Sequence, residues 1–164
     1  MKIFFPVLMA LVISVGLLVN LTPYVAGFWF PANPEGYQQA STEVSAEALA
    51  LWFGTQPAEF SQTQAIRWQG NGQKKRWYRF TVNREPVERF IRQQNMEQLP
   101  LSQPLLAERF LSVLPPVDWW QPDELARSSY FQGRSGISEL RLIYHAEQRT
   151  GYLLIQDVLP TQAD

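Results

Sequence analysis

The alternation of hydrophobic and polar positions along this chain begins only after a long apolar segment. Residues 3–21 carry no charged side chain, and Lys2 is the only charged residue before Glu35. A helix of about 20 apolar residues crosses the ~30 Å hydrocarbon core of a bilayer, so this run is long enough to span a membrane. We therefore predict that residues 1–30 form an N-terminal transmembrane signal anchor.

A cleaved signal peptide is the alternative interpretation of this segment. The apolar part of such a peptide is shorter, about 7–15 residues, and it ends at a small-residue cleavage site. Here the best site, Val25-Ala26-Gly27, lies beyond the run and is followed by Phe28-Trp29-Phe30, which resembles the aromatic belt of a membrane interface. Because positive residues stay on the cytoplasmic side, Lys2 predicts a cytoplasmic N-terminus in the bacterial inner membrane and a periplasmic domain; secretion after cleavage is less favoured.

After the anchor, the chain shows the pattern of one small domain. Residues 31–36 contain two prolines and a glycine, which is typical of a linker. We predict an extracytoplasmic domain over residues 37–160 and a tail over residues 161–164. Helical periodicity with capping residues predicts one helix that has Thr42 or Ser45 as its N-cap and ends at Gly54, and two further helices over residues 84–94 and 103–113.

Period-two alternation predicts the strands. Asn71-Gly72 between two such runs indicates a hairpin. A two-residue turn there places Ile66 opposite Trp77, whereas a three-residue loop places Ile66 on the face of Tyr78, and both registers are open. The predicted fold is α+β, with an antiparallel sheet of about four or five strands and two or three helices mainly on one face. The predicted strands cover residues 64–68, 75–82, 129–132, 138–145 and 151–158.

Composition excludes several classes of function. The chain has 14 Lys and Arg against 15 Asp and Glu and a pI near 5.9, which does not suit a generally basic nucleic-acid binder. It has no cysteine and one histidine, His145, so zinc sites with several His or Cys ligands and thiol catalysis are excluded. Since phosphate-loop, dinucleotide-binding and serine-hydrolase motifs are also missing from the sequence, we predict neither a metal nor a cofactor.

Charge is distributed unevenly along the domain. Residues 67–92 hold eight Lys and Arg against two Glu, whereas the segments on either side are acidic. Within this part, Lys75, Arg76, Trp77 and Arg79 interleave cations with an aromatic ring and are candidate partner-binding residues. Outside the cytoplasm this pattern suits an envelope protein, an anionic lipid headgroup or an acidic polymer, and nucleic acid is not expected. The structural alternative is an edge hairpin whose charges prevent pairing with other strands.

Two adjacent tryptophans, Trp119 and Trp120, lie in a segment without clear periodicity. We expect one of them to anchor the segment in the core and the other to reach the surface, where aromatic residues are favoured contacts, so both are candidate partner-binding residues. Asp118, Asp123 and Glu124 flank the pair. They are alternative catalytic residues, because carboxylates beside aromatic platforms suit an enzyme that acts on glycans.

These patterns favour a single-pass membrane protein whose outer domain is a non-catalytic binding or accessory module of the bacterial cell envelope. An enzyme acting on an envelope polymer, with its carboxylates near the tryptophan pair, is the first alternative. An immunity or inhibitor protein fits the size and the exposed charge, although no motif points to it. The first two hypotheses use different residues, so the environments of these residues in the fold distinguish them.

Overall fold

A computed structural model of the chain describes residues 36–125 and 128–157. These residues form one antiparallel sheet of seven strands in the order β1-β2-β3-β7-β6-β5-β4. The α+β class and the antiparallel sheet are confirmed, but the expected four or five strands were too few. The strands are β1 (Gly36–Ala40), β2 (Ser61–Gly70), β3 (Gln73–Thr81), β4 (Glu97–Leu99), β5 (Ser129–Ser135), β6 (Ser138–His145) and β7 (Thr150–Asp157).

The three helices lie on both faces of the sheet. Helices α1 (Thr42–Phe53) and α2 (Arg84–Gln93) pack on one side, here called the α1/α2 face. Helix α3 (Gln103–Leu106), which continues as a π-helical turn to Leu111, packs with the following segment on the other side, here called the α3 face. The two longer helices thus share one face, as expected, and the residues after Ser102 bury a second apolar surface on the other face.

Capping residues fix the ends of α1. The Ser41 side chain accepts a hydrogen bond from the Val44 amide, so Ser41 is the N-cap in place of the predicted Thr42 or Ser45. Gly54 adopts a left-handed conformation with φ of 59° and donates its amide to the Ala50 carbonyl, which is the usual role of a glycine after a helix. The helix thus ends where the sequence predicts.

The hairpin between β2 and β3 has the shorter of the two predicted turns. Gly70 pairs with Gln73, so Asn71 and Gly72 alone form the turn, and both have positive φ, 49° and 72°. A type I′ turn requires this conformation, which explains the Asn-Gly sequence. Ile66 is consequently opposite Trp77, on the α3 face.

Each face has an aromatic core. On the α1/α2 face, the Phe53 and Phe90 rings stack at 4.3 Å between centroids, and Phe80 meets Phe53 edge-on at 5.3 Å. On the α3 face, the Trp120 ring meets Tyr152 edge-on at 5.3 Å. Strand β7 lies at the centre of the sheet, between β3 and β6, which confirms the central position predicted from its apolar residues on both faces.

The predicted anchor (residues 1–30), most of the linker and the end of the chain after Asp157 lie outside the described residues. No helix within residues 36–125 and 128–157 combines the length and the hydropathy needed to cross a bilayer. The described sheet begins at Gly36, one residue before the predicted start of the domain.

Candidate binding surface

The cationic residues of β3 do not share one surface. Strand β3 lies between β2 and β7, so it is an interior strand, and the predicted edge hairpin was wrong. Successive side chains of a strand point to opposite faces. Lys75, Trp77 and Arg79 lie on the α3 face, whereas Arg76 lies on the α1/α2 face with Tyr78.

Trp77 belongs to the core. Its side chain is fully buried between its cross-strand neighbours Ile66 and Leu154, and its ring centroid is 6.1 Å from that of Tyr37. The indole Nε1 is buried and has no hydrogen-bond partner among the described residues. Truncation of Trp77 would therefore test the stability of the fold and not the binding of a partner.

Lys75 and Arg79 are partly covered. Lys75 pairs with Trp68 on one side and Gln156 on the other. Burial lowers the pKa of Lys75, and the nearby Arg141 adds to this effect. The Arg79 guanidinium approaches the Gln64 side-chain oxygen at 3.5 Å, so neither cation projects freely into solvent.

The tryptophan pair takes two different environments, as expected. Trp120 is buried and its Nε1 donates to the Phe110 carbonyl at 3.2 Å, so it fixes the segment on the α3 face. Trp119 is half-buried and lies edge-on to Trp120 at 6.1 Å. Its Nε1 is buried, with no partner among the described residues, so only part of the ring reaches the surface.

The three candidate carboxylates lie on open surface. Asp118, Asp123 and Glu124 are all exposed. None of them lines the three principal clefts found among the described residues. This arrangement offers no enclosed position in which a carboxyl group is desolvated, as a general acid for glycan cleavage requires.

A different surface combines charge with apolar area. A groove of about 450 Å³ opens between the first turns of α1 and the outer strands of the sheet. Two arginines lie on its floor, and the outer side of α1 forms an apolar wall. We call it the arginine groove; its principal lining residues are Gln38, Val44, Ala48, Arg67, Arg76 and Tyr78.

The two arginines of the groove come from neighbouring strands. Arg67 on β2 and Arg76 on β3 are directly opposite each other and therefore point to the same face. Like charges in this position destabilise a sheet by about 0.2–1 kcal/mol. Burial raises the pKa of Tyr78, while the positive charges of Arg76 and Arg67 oppose that increase, so both guanidinium groups act on the same phenol.

The Arg76 side chain is fixed, directly or indirectly, by three neighbouring side chains. Its Nη2 donates to the Asp157 carboxylate at 2.7 Å, and the same carboxylate oxygen accepts from the Ser138 hydroxyl at 2.7 Å. The guanidinium carbon lies 5.9 Å from the ring centroid of Trp52, a distance compatible with a cation–π contact. Its Nε is buried without a partner among the described residues.

Arg67 has no such counterion. Its Nε donates to the Gln38 side-chain oxygen at 2.8 Å, and its Nη2 donates to the same oxygen. Within residues 36–125 and 128–157, Arg67 forms no ion pair, since each ion pair found there involves another cation. A neutral amide thus accepts two of the hydrogen bonds that the Arg67 guanidinium can donate, although a carboxylate would accept them more strongly.

The apolar wall continues over the outer side of α1. Val44 is 56% exposed and Leu51 is 86% exposed, whereas Ala48 and Trp52 are half-buried. Residues spaced by three, four and seven positions lie along one side of a helix. Helix α1 therefore has an outer apolar stripe in addition to the side that packs on the sheet.

A second cleft is lined mainly by polar and charged residues. It measures about 480 Å³ and lies near the β4–β5 end of the sheet. Arg141 donates to the Glu139 carboxylate at 2.6 Å and to the Arg109 carbonyl at 3.0 Å. Apart from Gly133 and Leu140, every residue that lines this cleft is polar or charged, so the cleft lacks an apolar wall like that of the arginine groove.

Of the six predicted partner-binding residues, only Arg76 lines the arginine groove. The residues that sequence reasoning missed are Arg67, Gln38, the exposed Val44 and the half-buried Ala48. Arg67 belongs to the basic part of the chain, so its charge was visible, but its position beside Arg76 depends on the hairpin register.

Comparisons with protein-family models, with curated proteins and with solved structures found no match to this chain.

Proposed function

We propose that this protein is a single-pass membrane protein of the bacterial cell envelope whose periplasmic domain binds a partner without catalysing a reaction. The arginine groove supports this proposal most directly. It joins an arginine without a carboxylate counterion, among the described residues, to an apolar surface that includes the exposed Val44. A partner that supplies a carboxylate and an apolar side chain gains from both features.

The anchor supports the location. Residues 3–21 are long and apolar enough to span a bilayer, and Lys2 before them favours a cytoplasmic N-terminus. A domain held at the membrane in this way meets envelope proteins, lipid headgroups and acidic polymers. An arginine-lined groove suits the anionic groups that all three carry.

A photocrosslinking experiment in cells tests the binding role. A photoreactive residue at Val44 of the full-length chain is expected to form a discrete adduct, whereas one at the exposed turn residue Gln148 is not. Arg67→Glu should abolish the Val44 adduct by replacing attraction with repulsion. Arg149→Glu is the matched control, because Arg149 is exposed and lines none of the three clefts.

A reporter fused after Asp164 tests the location in the same strain. A reporter active only in the periplasm is the expected result, and activity only in the cytoplasm contradicts the proposed orientation. An adduct that persists unchanged in Arg67→Glu shows that the arginine groove is not the binding surface.

A further inference from the structure

Strand β1 offers an open edge beside the arginine groove. Among the described residues it lies at one end of the sheet and pairs only with β2. Natural edge strands are usually protected by charged residues, proline, bulges or short length. The five residues Gly36–Ala40 contain no charge and no proline and pair without a register shift, so these protections are missing within the strand itself, although Pro34 and Glu35 come directly before it in the sequence.

The other end of the sheet is different. Strand β4 has only three residues, Glu97–Leu99, carries a charged residue and is followed at once by Pro100. Short length, charge and a following proline all discourage the addition of another strand. The two edges are therefore unequal, and the described sheet is open to strand addition at β1.

The open edge and the groove are parts of one surface. Gln38 and Ala40 of β1 and Ser41 and Val44 of the first turn of α1 all line the groove. A strand added beside β1 lies about 4.8 Å from it, and every second side chain points to the α1/α2 face. Those side chains would enter the groove, against Val44 and above Gln38.

Charge selects the chemistry of the added strand. The first cation that a side chain meets beyond Gln38 is Arg67, whose guanidinium is bonded to the Gln38 amide oxygen. A carboxylate binds a guanidinium more strongly than a neutral amide does. Arg76 lies directly behind Arg67, but Asp157 compensates its charge. Arg67 therefore supplies the uncompensated positive charge in the groove, which favours an acidic residue there and opposes a basic one.

We infer, on the basis of the proposed function, that the partner is a protein that supplies an extended acidic segment, which adds to the edge of β1 that no described strand covers and places a carboxylate on Arg67. Backbone hydrogen bonds to β1 would hold this segment, as in other cases of β-strand addition, and the groove would select its side chains. Val44 and Ala48 provide the apolar contact for a neighbouring side chain on the same face of the added strand.

Two blocked synthetic peptides test this inference with the full-length chain in detergent micelles. One has the repeat Asp-Thr-Val-Thr, which places Asp and Val on the same face of a strand, and the other has Lys in place of each Asp. The Asp peptide is expected to bind at least about tenfold more tightly, which corresponds to about 1.4 kcal/mol. Arg67→Glu should remove this preference, whereas Arg149→Glu should preserve it.

Amide hydrogen exchange distinguishes strand addition from binding by side chains alone. Strand addition should slow exchange at the amides of β1 that point away from β2, because they gain hydrogen bonds. Equal affinity for the two peptides, or unchanged exchange over residues 36–40 in the bound state, overturns the inference. Loss of the crosslinked adduct in Arg67→Glu together with unchanged exchange leaves the proposed function in place and removes only strand addition.

Two other occupants of the edge give recognisable results. If the chain alone sediments as a dimer with protected β1 amides, a second copy occupies the edge and the inference is wrong. If vesicles containing phosphatidylglycerol displace the Asp peptide but leave the β1 amides unprotected, the groove binds a lipid headgroup, and the inference is wrong in that case as well.

Discussion

Replacing Trp77 and Trp120 separately by phenylalanine gives a direct test of the α3-face core. Both side chains are buried, at 0% and 4% exposure, and both belong to the same apolar cluster. Trp120 Nε1 donates to the Phe110 carbonyl at 3.2 Å, whereas Trp77 Nε1 has no partner among the described residues. The same chemical change therefore removes a hydrogen bond at one site and an unpaired polar group at the other.

The expected difference follows from these two environments. Both variants lose part of an indole ring from a packed core, and this cost is similar for the two. Trp120→Phe additionally loses a hydrogen bond worth about 1 kcal/mol, while Trp77→Phe removes an unpaired buried N–H that costs about 1–3 kcal/mol. We expect Trp120→Phe to be more destabilising than Trp77→Phe by about 2–4 kcal/mol.

Urea unfolding of the full-length chain in detergent, followed by far-ultraviolet circular dichroism, measures this difference. The slopes of the free energy of unfolding against urea must agree between the variants for the comparison to hold. If the two free energies of unfolding agree within about 0.5 kcal/mol, which is the usual error of additivity, the indole N–H of Trp77 is satisfied and the reasoning fails.

Three further predictions concern the sheet. Gly151→Ala should lower the free energy of unfolding by about 1–3 kcal/mol, because its Cβ would lie 2.6 Å from Phe80 Cζ; a double-mutant cycle with Phe80→Leu should recover part of the loss. Asp157→Asn should cost about 1.5–3 kcal/mol in urea unfolding, since its carboxylate accepts from Arg76 and Ser138; an unchanged midpoint contradicts this. Burial raises the pKa of four tyrosines above the usual 10.0, namely Tyr78, Tyr130, Tyr144 and Tyr152. The stability that these neutral side chains provide should therefore be complete below pH 10, and it should be lost as the pH rises through their raised pKa values. Tyrosinate absorbance and circular dichroism should then change together, and ionisation of these tyrosines at their usual pH without unfolding would contradict this prediction.

Local signals in the sequence predicted much of the fold. Strand β6 covers Ser138–His145 as predicted, because its apolar and polar residues alternate and turns limit it on both sides. Helix α2 begins at Arg84 and ends at Gln93, within one residue of the prediction, because Pro86 in its first turn and its apolar stripe mark its position. These elements carry their own pattern, so local reasoning was sufficient.

The two edge strands carry no such pattern. Gly36–Ala40 contains two glutamines and no alternating apolar set, and Glu97–Leu99 is only three residues long. Each becomes a strand by pairing with a neighbour, β2 in one case and β5 in the other. Strand formation that depends on a partner is a tertiary effect, which intrinsic propensity does not predict.

The arginine groove is harder to predict than either edge strand, because it depends on register. In the observed two-residue turn, Arg67 is opposite Arg76 and both face α1. A three-residue loop would move Arg67 to the α3 face, since a slip of one residue exchanges the faces of a strand. The positive φ values of Asn71 and Gly72 allow the two-residue turn that places both arginines on the same face of the sheet. Gln38 completes the groove from β1, a strand that local reasoning did not predict. Burial of Ala65 in one core and of Ile66 in the other holds β2 in this register, so the groove depends on the packing of both faces as well as on the turn.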